Sequence, residues 1–216
     1  MQQIDAEAIE AVGIPRVLLM EHAGLAVARA VRQLVPDRSA PLVICCGTGW
    51  NGGDGLAAAR HLHERGHPLR VLMTGPLGRL REEPAMYASI LQKLGLTLVE
   101  CLRPADLALL ERWLGDCRLV IDALLGIGAR GTVREPTASV IDRINRSGQP
   151  VVAVDVPSGV DAETGRVQGV AVRATLTVTF GLAKRGCLLA EGPAHTGRLV
   201  VDPIAIPRTL LEGAAA

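Results

Sequence analysis

Apolar residues gather along the chain into short runs separated by polar, helix-forming stretches. Runs at 41–46 (PLVICC), 69–74 (LRVLMT), 97–101 (TLVEC), 118–122 (RLVID), 151–156 (VVAVDV), 175–180 (TLTVTF) and 198–202 (RLVVD) read as strands. Several are continuous rather than alternating, the pattern of strands covered on both faces. Helix-like segments lie between them near 54–65, 82–94, 104–114 and 135–147. Ahead of the first strand, Met20, Ala23, Val27, Val31 and Leu34 recur at three- and four-residue steps, which predicts a long amphipathic helix over 15–35. This alternation of strand and helix argues for βα units. The expected fold is therefore α/β, a Rossmann-like three-layer α/β/α sandwich with a mostly parallel central sheet. No repeat, low-complexity run or linker divides the chain, so a single domain is expected over 1–216.

Composition narrows the function classes. The 216 residues are 49% hydrophobic, enough for a large core, and the net charge is +1. That balance provides no basic field for nucleic acid and no acidic tail. The start, MQQIDAEAIE, has neither a basic nor an apolar leader segment. No apolar run reaches the roughly 18 residues of a membrane span. The five cysteines (Cys45, Cys46, Cys101, Cys117 and Cys187) form no C-x-x-C pair and sit mostly in or beside apolar runs. They read as reduced core residues, and a cytoplasmic location is expected. No Cys/His set has zinc spacing.

Candidate chemistry lies in the loops after the strands. GTGWNGGDG at 47–55 follows the first strand directly. In an open α/β sheet, that is where backbone N–H groups and a helix N-terminus meet phosphate. A tight turn needing positive φ is the alternative explanation for the glycines. The segment is not a P-loop, because neither lysine (Lys93 or Lys184) follows a glycine. The second strand ends VLMTG, without the acid that an ordinary dinucleotide-binding fold places on the ribose. Two further loops carry polar residues with glycines: DALLGIGARG after Asp122, and DVPSG from Asp155 to Gly159. Carboxyl ends of parallel strands share one edge, so Asn51, Asp122, Asp155 and Ser158 are expected to converge.

Together these stretches resemble the NAD(P)H-hydrate epimerase family, also called the YjeF N-terminal domain. Its G-x-G-N-N-G-G-D-G loop stands here as GTGWNGGDG, and its D-[IV]-P-S-G motif as DVPSG. The segments IDAEAIEAVGIPRVLLMEHAG and TFGLAKRG also look like the family's, so the resemblance covers roughly residues 4–205. It implies an isomerase that interconverts the R and S forms of hydrated NADH or NADPH (NAD(P)HX) at C6, for repair of nicotinamide nucleotides. Longer family members carry the dehydratase that consumes the S form; this chain looks like the epimerase alone, with a separate dehydratase as functional partner. Relatives often pair as dimers, so a homodimer is also implied; from the charge balance and the lack of an apolar span, no nucleic-acid or membrane partner is expected.

Carried over by position, the resemblance assigns substrate binding to Trp50, Asn51, Gly52, Gly53 and Asp54. It assigns the same role to Gly126, Ile127, Gly128, Ala129, Arg130, Gly131, Thr132 and Asp155. Asn51, Asp122 and Ser158 would hold one potassium ion per subunit, and Asp155 would be the catalytic carboxylate. Trp50 replaces the family's first Asn; an indole lacks the amide's two donors and acceptor but can stack on a planar ring. Lys184 reads either as a phosphate or loop contact or as a surface lysine. Two other functions fit the fold class: a non-catalytic nucleotide- or protein-binding module, and a different nucleotide-handling enzyme. Trp50 and Trp113 are the only tryptophans. Titration with NADPH is expected to quench the fluorescence of the first, and a Trp50→Phe variant is expected to lose that response.

Overall fold

The structure, a computed structural model, describes residues 2–213. A short helix α1 (Gln2–Ala6) runs through one π turn (Glu7–Ala11) toward the long helix α2 (Arg16–Leu34). The chain then alternates: β1 (Leu42–Cys46), α3 (Trp50–His63), β2 (Leu69–Met73), α4 (Glu82–Lys93), β3 (Leu98–Glu100), α5 (Leu107–Asp116), β4 (Leu119–Ala123), α6 (Thr137–Arg146) and β5 (Val151–Val154). It ends with β6 (Leu176–Phe180), α7 (Gly192–Thr196), β7 (Arg198–Asp202) and α8 (Arg208–Gly213). The seven strands form one sheet in the order β3-β2-β1-β4-β5-β6-β7. Every pairing in it is parallel, so the mostly parallel sheet anticipated from the sequence is parallel throughout the described residues.

Helices cover both faces, and the strand periodicity distributes side chains between them. Leu42, Ile44 and Cys46 point into a core shared with α2, α3 and α4, through Val27, Leu56, Leu62 and Leu91. Val43 and Cys45 point the other way, toward Leu110, Leu114, Val140 and Ile141 of α5 and α6. This two-sided burial is why β1 and β4 read as unbroken apolar runs. All five cysteines are buried and unpaired.

Helix α3 starts at Trp50, four residues ahead of the expected position, and Gly52, Gly53 and Gly55 are helical. None of the glycines from 47 to 55 has a positive φ. They are there for closeness instead. A Cβ on Gly55 would lie 2.4 Å from Ala123 Cβ, and one on Gly52 would lie 1.9 Å from the Gly47 carbonyl oxygen. Packing space here outweighs the low helix propensity of glycine. On its other side α3 crosses α2 at Gly24, whose Cβ would stand 2.6 Å from Ala57 Cβ.

Glu21 lies within α2. It accepts a hydrogen bond from Tyr87 Oη (2.8 Å) and pairs with Arg60 and His61, tying α2 to α3 and α4. His22 beside it is exposed.

These contacts make opposite predictions for two helical glycines. Gly24→Ala overpacks the α2–α3 crossing and is expected to cost about 1–3 kcal/mol in denaturant unfolding. Gly115, exposed near the end of α5, has open space where a Cβ would project, with nothing within 4 Å. Gly115→Ala is expected to gain up to about 1 kcal/mol.

Candidate functional site

Strand order reverses between β1 and β4: β2 and β3 lie to one side of β1, and β5 to β7 lie beyond β4. A crevice opens at such a switch point, above the carboxyl ends of the strands. Here it is a cavity of about 640 Å³. Its base is formed by the loops after β1, β4, β5 and β6, and its cover by α1, the π turn and the start of α2. The two central loops touch without a side chain between them. A Cβ at Gly47 would sit 2.0 Å from the Leu124 carbonyl oxygen, so this position requires glycine.

Asp122 is the last polar group of β4 and is fully buried. Its Oδ1 accepts from Ser158 Oγ (2.6 Å) and its Oδ2 from the Ser158 N–H (2.8 Å). Ser158 Oγ in turn accepts from the Leu125 N–H (2.8 Å). Burial pushes the Asp122 carboxyl up to about 6, against the lowering effect of the Ser158 and Leu124 donors. Asn51, in the first turn of α3, reaches the same loop: its Nδ2 donates to the Leu125 carbonyl (2.9 Å). Asn51 Oδ1 is buried without a partner. Asn51, Asp122 and Ser158, three of the four residues expected to converge, thus meet around Leu125, whereas Asp155 bonds to Thr179, Phe180 and Lys184. Their free acceptors are all oxygen, the donor set of a hard or weakly hydrated cation rather than of zinc or copper. Among the described residues no cluster of three or more His, Cys, Asp or Glu side chains forms a metal site.

Asp155 follows the end of β5 and has a φ of +67°. A non-glycine residue in this region costs about 1–3 kcal/mol and persists only where its surroundings hold it. They do: Thr179 Oγ1 and the Phe180 N–H each donate to Asp155 Oδ1 at 3.2 Å. Lys184 Nζ pairs with the same oxygen and donates to the Phe180 carbonyl (2.7 Å). Lys184 is only 6% exposed, which removes the surface-lysine reading.

Asp54 and Asp5 complete this end of the cavity. Burial raises the Asp54 carboxyl well above its ordinary range; Asp155 and Asp5 add to the rise and Lys184 opposes it. Asp5 is raised too, chiefly by burial, with Lys184 pulling it down. Composition drew no attention to Asp5, which lies near the chain start and reaches the site only because α1 folds back over it. Arg16 was not singled out either; its guanidinium lies over the Trp50 ring, 4.4 Å from the centroid. Trp50 is 45% exposed at the cavity edge, so one indole face is already occupied.

Not every expected substrate contact lines the cavity. Trp50, Asn51, Asp54, Gly126, Ile127, Gly128, Ala129 and Asp155 do. Gly52 and Gly53 are buried inside the α3 packing, with a Gly53 Cβ meeting Met20 and Pro84. Arg130 folds back on the Ile127 carbonyl and pairs with Glu163 on the surface. Gly131 and Thr132 lie beyond it, and Thr132 packs toward Gly169. Asp122 and Ser158 sit beneath the lining rather than in it.

With this geometry in hand, three comparisons identify similar proteins. The family model for "YjeF-related protein N-terminus" matches residues 17–186. A bifunctional NAD(P)H-hydrate repair enzyme of Pyrobaculum aerophilum is 48% identical over 200 residues. That alignment takes in 92% of this chain but 39% of the relative, so the chain spans about two-fifths of the bifunctional protein. An NAD(P)H-hydrate epimerase of Limosilactobacillus fermentum is 41% identical, and 93% of this chain and 92% of the relative are covered. Among solved structures, yeast YNL200c superposes with a TM-score of 0.83 at 25% identity, over 97% of this chain and 88% of the other.

The Ser158 hydroxyl both donates to a buried carboxylate and accepts a buried N–H. Ser158→Ala leaves each short of a partner and is expected to cost about 2–4 kcal/mol in denaturant unfolding. Ser158→Thr, which restores the hydroxyl, is expected to recover much of it.

Proposed function

The chain belongs to the YjeF-related protein N-terminus family, and from that premise we propose that it is an epimerase of hydrated NADH and NADPH. It would interconvert the R and S forms at C6 of the damaged nicotinamide ring. One observation carries this reading: a carboxylate in a left-handed backbone conformation, Asp155, is held by a buried lysine in a dinucleotide-sized crevice at the switch point. Strain retained in that place points to chemistry rather than to packing. Names and coverage of relatives at 41–48% identity support the substrate class.

The chemistry follows from the ring. Its nitrogen lone pair can expel the C6 hydroxyl as water, leaving an iminium cation to which water returns on the other face. A carboxylate beside C6 stabilises that cation and accepts a proton from the incoming water. Asp155 Oδ1 is taken by Thr179, Phe180 and Lys184, while its second oxygen has no protein donor among the described residues. That division leaves one oxygen for the substrate. Gly126 to Ala129 and the open N-terminus of α3 supply backbone to the remainder of the dinucleotide.

For potassium, Asn51, Asp122 and Ser158 are the proposed ligands, with the Leu125 carbonyl beside them. The unpartnered Asn51 Oδ1 and the all-oxygen donor set support the fit. A bound ion would add positive charge and fix the α3, β4 and β5 loops relative to one another. The S form made here would pass to a dehydratase, a separate protein in our reading. Five unpaired, buried thiols support a reducing compartment, the cytoplasm.

The test is to mix the purified protein with R-enriched hydrated NADPH, with and without potassium, and to follow the R/S ratio by chromatography. Wild type is expected to equilibrate the epimers, faster with potassium. Asp155→Asn is expected to abolish catalysed exchange while NADPH binding persists; near-normal turnover in that variant would refute the role given to Asp155.

A further inference from the structure

Around Asp155 the cavity gathers more acid than one base can neutralise. Among the described residues, Asp5 from α1, Asp54 from α3 and Asp155 after β5 share this end of the cavity with one lysine, Lys184. The other titratable neighbours of Asp54 are the Cys46 thiol and the Tyr87 phenol. Both are pushed up by burial and stay neutral. Arg16 acts on Asp5 from farther away and is stacked on Trp50. Lys184 is already committed to Asp155 and to the Phe180 carbonyl. Asp54 has no protein hydrogen-bond donor among the described residues, and its carboxyl borders the same cavity.

Two carboxyl groups in one cavity therefore have opposite surroundings. All the protein donors on Asp155 among the described residues, from Thr179, Phe180 and Lys184, converge on its Oδ1. Asp54 is offered none, and burial together with two neighbouring acids raises its carboxyl above the usual range. Two carboxyls in one cavity, one rich in donors and one without any, form the arrangement in which one serves as base and the other as acid. The end suits a ring that becomes cationic.

We propose that Asp54 is the general acid of the reaction, donating its proton to the hydroxyl that leaves C6, while Asp155 is the base for the water that returns. This rests on the epimerase reading above. In one turnover the Asp54 carboxyl O–H breaks, its proton joins the C6 oxygen, and the C6–O bond breaks to release water. The ring nitrogen lone pair forms the iminium double bond. A second water then adds to C6, the nitrogen regains its lone pair, and the proton lost by that water goes to Asp155. The enzyme is left with its proton on the opposite carboxyl, poised for the reverse conversion. Exchange with solvent resets it, and the Lys184 ion pair favours return of the charge to Asp155.

The experiment compares wild type, Asp54→Asn and Asp54→Glu in both directions of epimerisation as pH is raised. Asp54 donates only while protonated, so the wild-type R-to-S kcat is expected to fall as pH rises through its raised value. Asp54→Asn is expected to lose 100-fold or more of kcat, on the order of a general acid's contribution, and to lose that alkaline limb. NADPH binding is expected to stay within a few-fold. Asp54→Glu is expected to restore part of the rate and the limb. An infrared difference spectrum, wild type minus Asp54→Asn, is expected to contain a protonated carboxyl band at neutral pH. This band also serves if a variant folds poorly, because it disappears from wild type alone as pH rises. Inactive wild type would sink the epimerase reading. Active wild type with an unimpaired Asp54→Asn, a loss confined to KM, or no protonated carboxyl at neutral pH would sink this assignment alone.

Discussion

A carboxylate removed entirely from water must find its donors within the protein, and Asp122 finds them on another loop. Its oxygens are met by the N–H and hydroxyl of Ser158, thirty-six residues further on, and the same hydroxyl receives the Leu125 N–H. Those bonds lock the loops after β4 and β5 at a fixed height above the sheet. Asn51 joins through the Leu125 carbonyl, bringing in the start of α3. Everything the cavity offers a ligand is referenced to this buried network. Breaking one member leaves another uncompensated, so the network holds or fails as a unit.

Glycine complements that network by letting backbones meet. Gly47 lets the β1 loop lie against Leu124, and Gly55 lets α3 settle on Ala123. Side chains at either place would lift α3 off the sheet and open the switch point. The N-terminus of α3 stays at the cavity edge because the helix is packed on its glycine face. Function and close packing are thus served by the same residues, which explains their density.

How much of this the sequence disclosed varies with the physics involved. Strands buried on both faces were legible, because continuous apolar runs have few other uses in a chain of this composition. The beginning of α3 was not: Gly52, Gly53 and Gly55 are poor helix formers, and only tertiary contact makes the helix start at Trp50. Convergence of Asn51, Asp122 and Ser158 was legible from topology, since parallel strands share one carboxyl edge. Asp5 was not, because its place depends on how α1 folds over the sheet rather than on any local pattern. The left-handed backbone of Asp155 was equally hidden, since its immediate neighbours Val154 and Val156 are strand formers rather than turn formers. Gly52, Gly53, Arg130, Gly131 and Thr132 show the converse: a motif marks a stretch, but packing decides which members face the cavity.

Parallel neighbours cannot pair through a hairpin; each strand waits for the crossover that brings the next one alongside. Here the central pair, β1 and β4, is joined only after α3, β2, α4, β3 and α5 have been threaded between them. Lys184 arrives later still, after β6. A nascent chain shorter than this has its glycine loop, and its acids are hydrated and apart. Asp5, Asp54 and Asp155 all precede in sequence the lysine that pairs with Asp155. Long-range closure of this kind is slow to nucleate and cooperative once begun. The acidic cavity thus draws its members from both ends of the chain, and only the closed sheet brings them to one place.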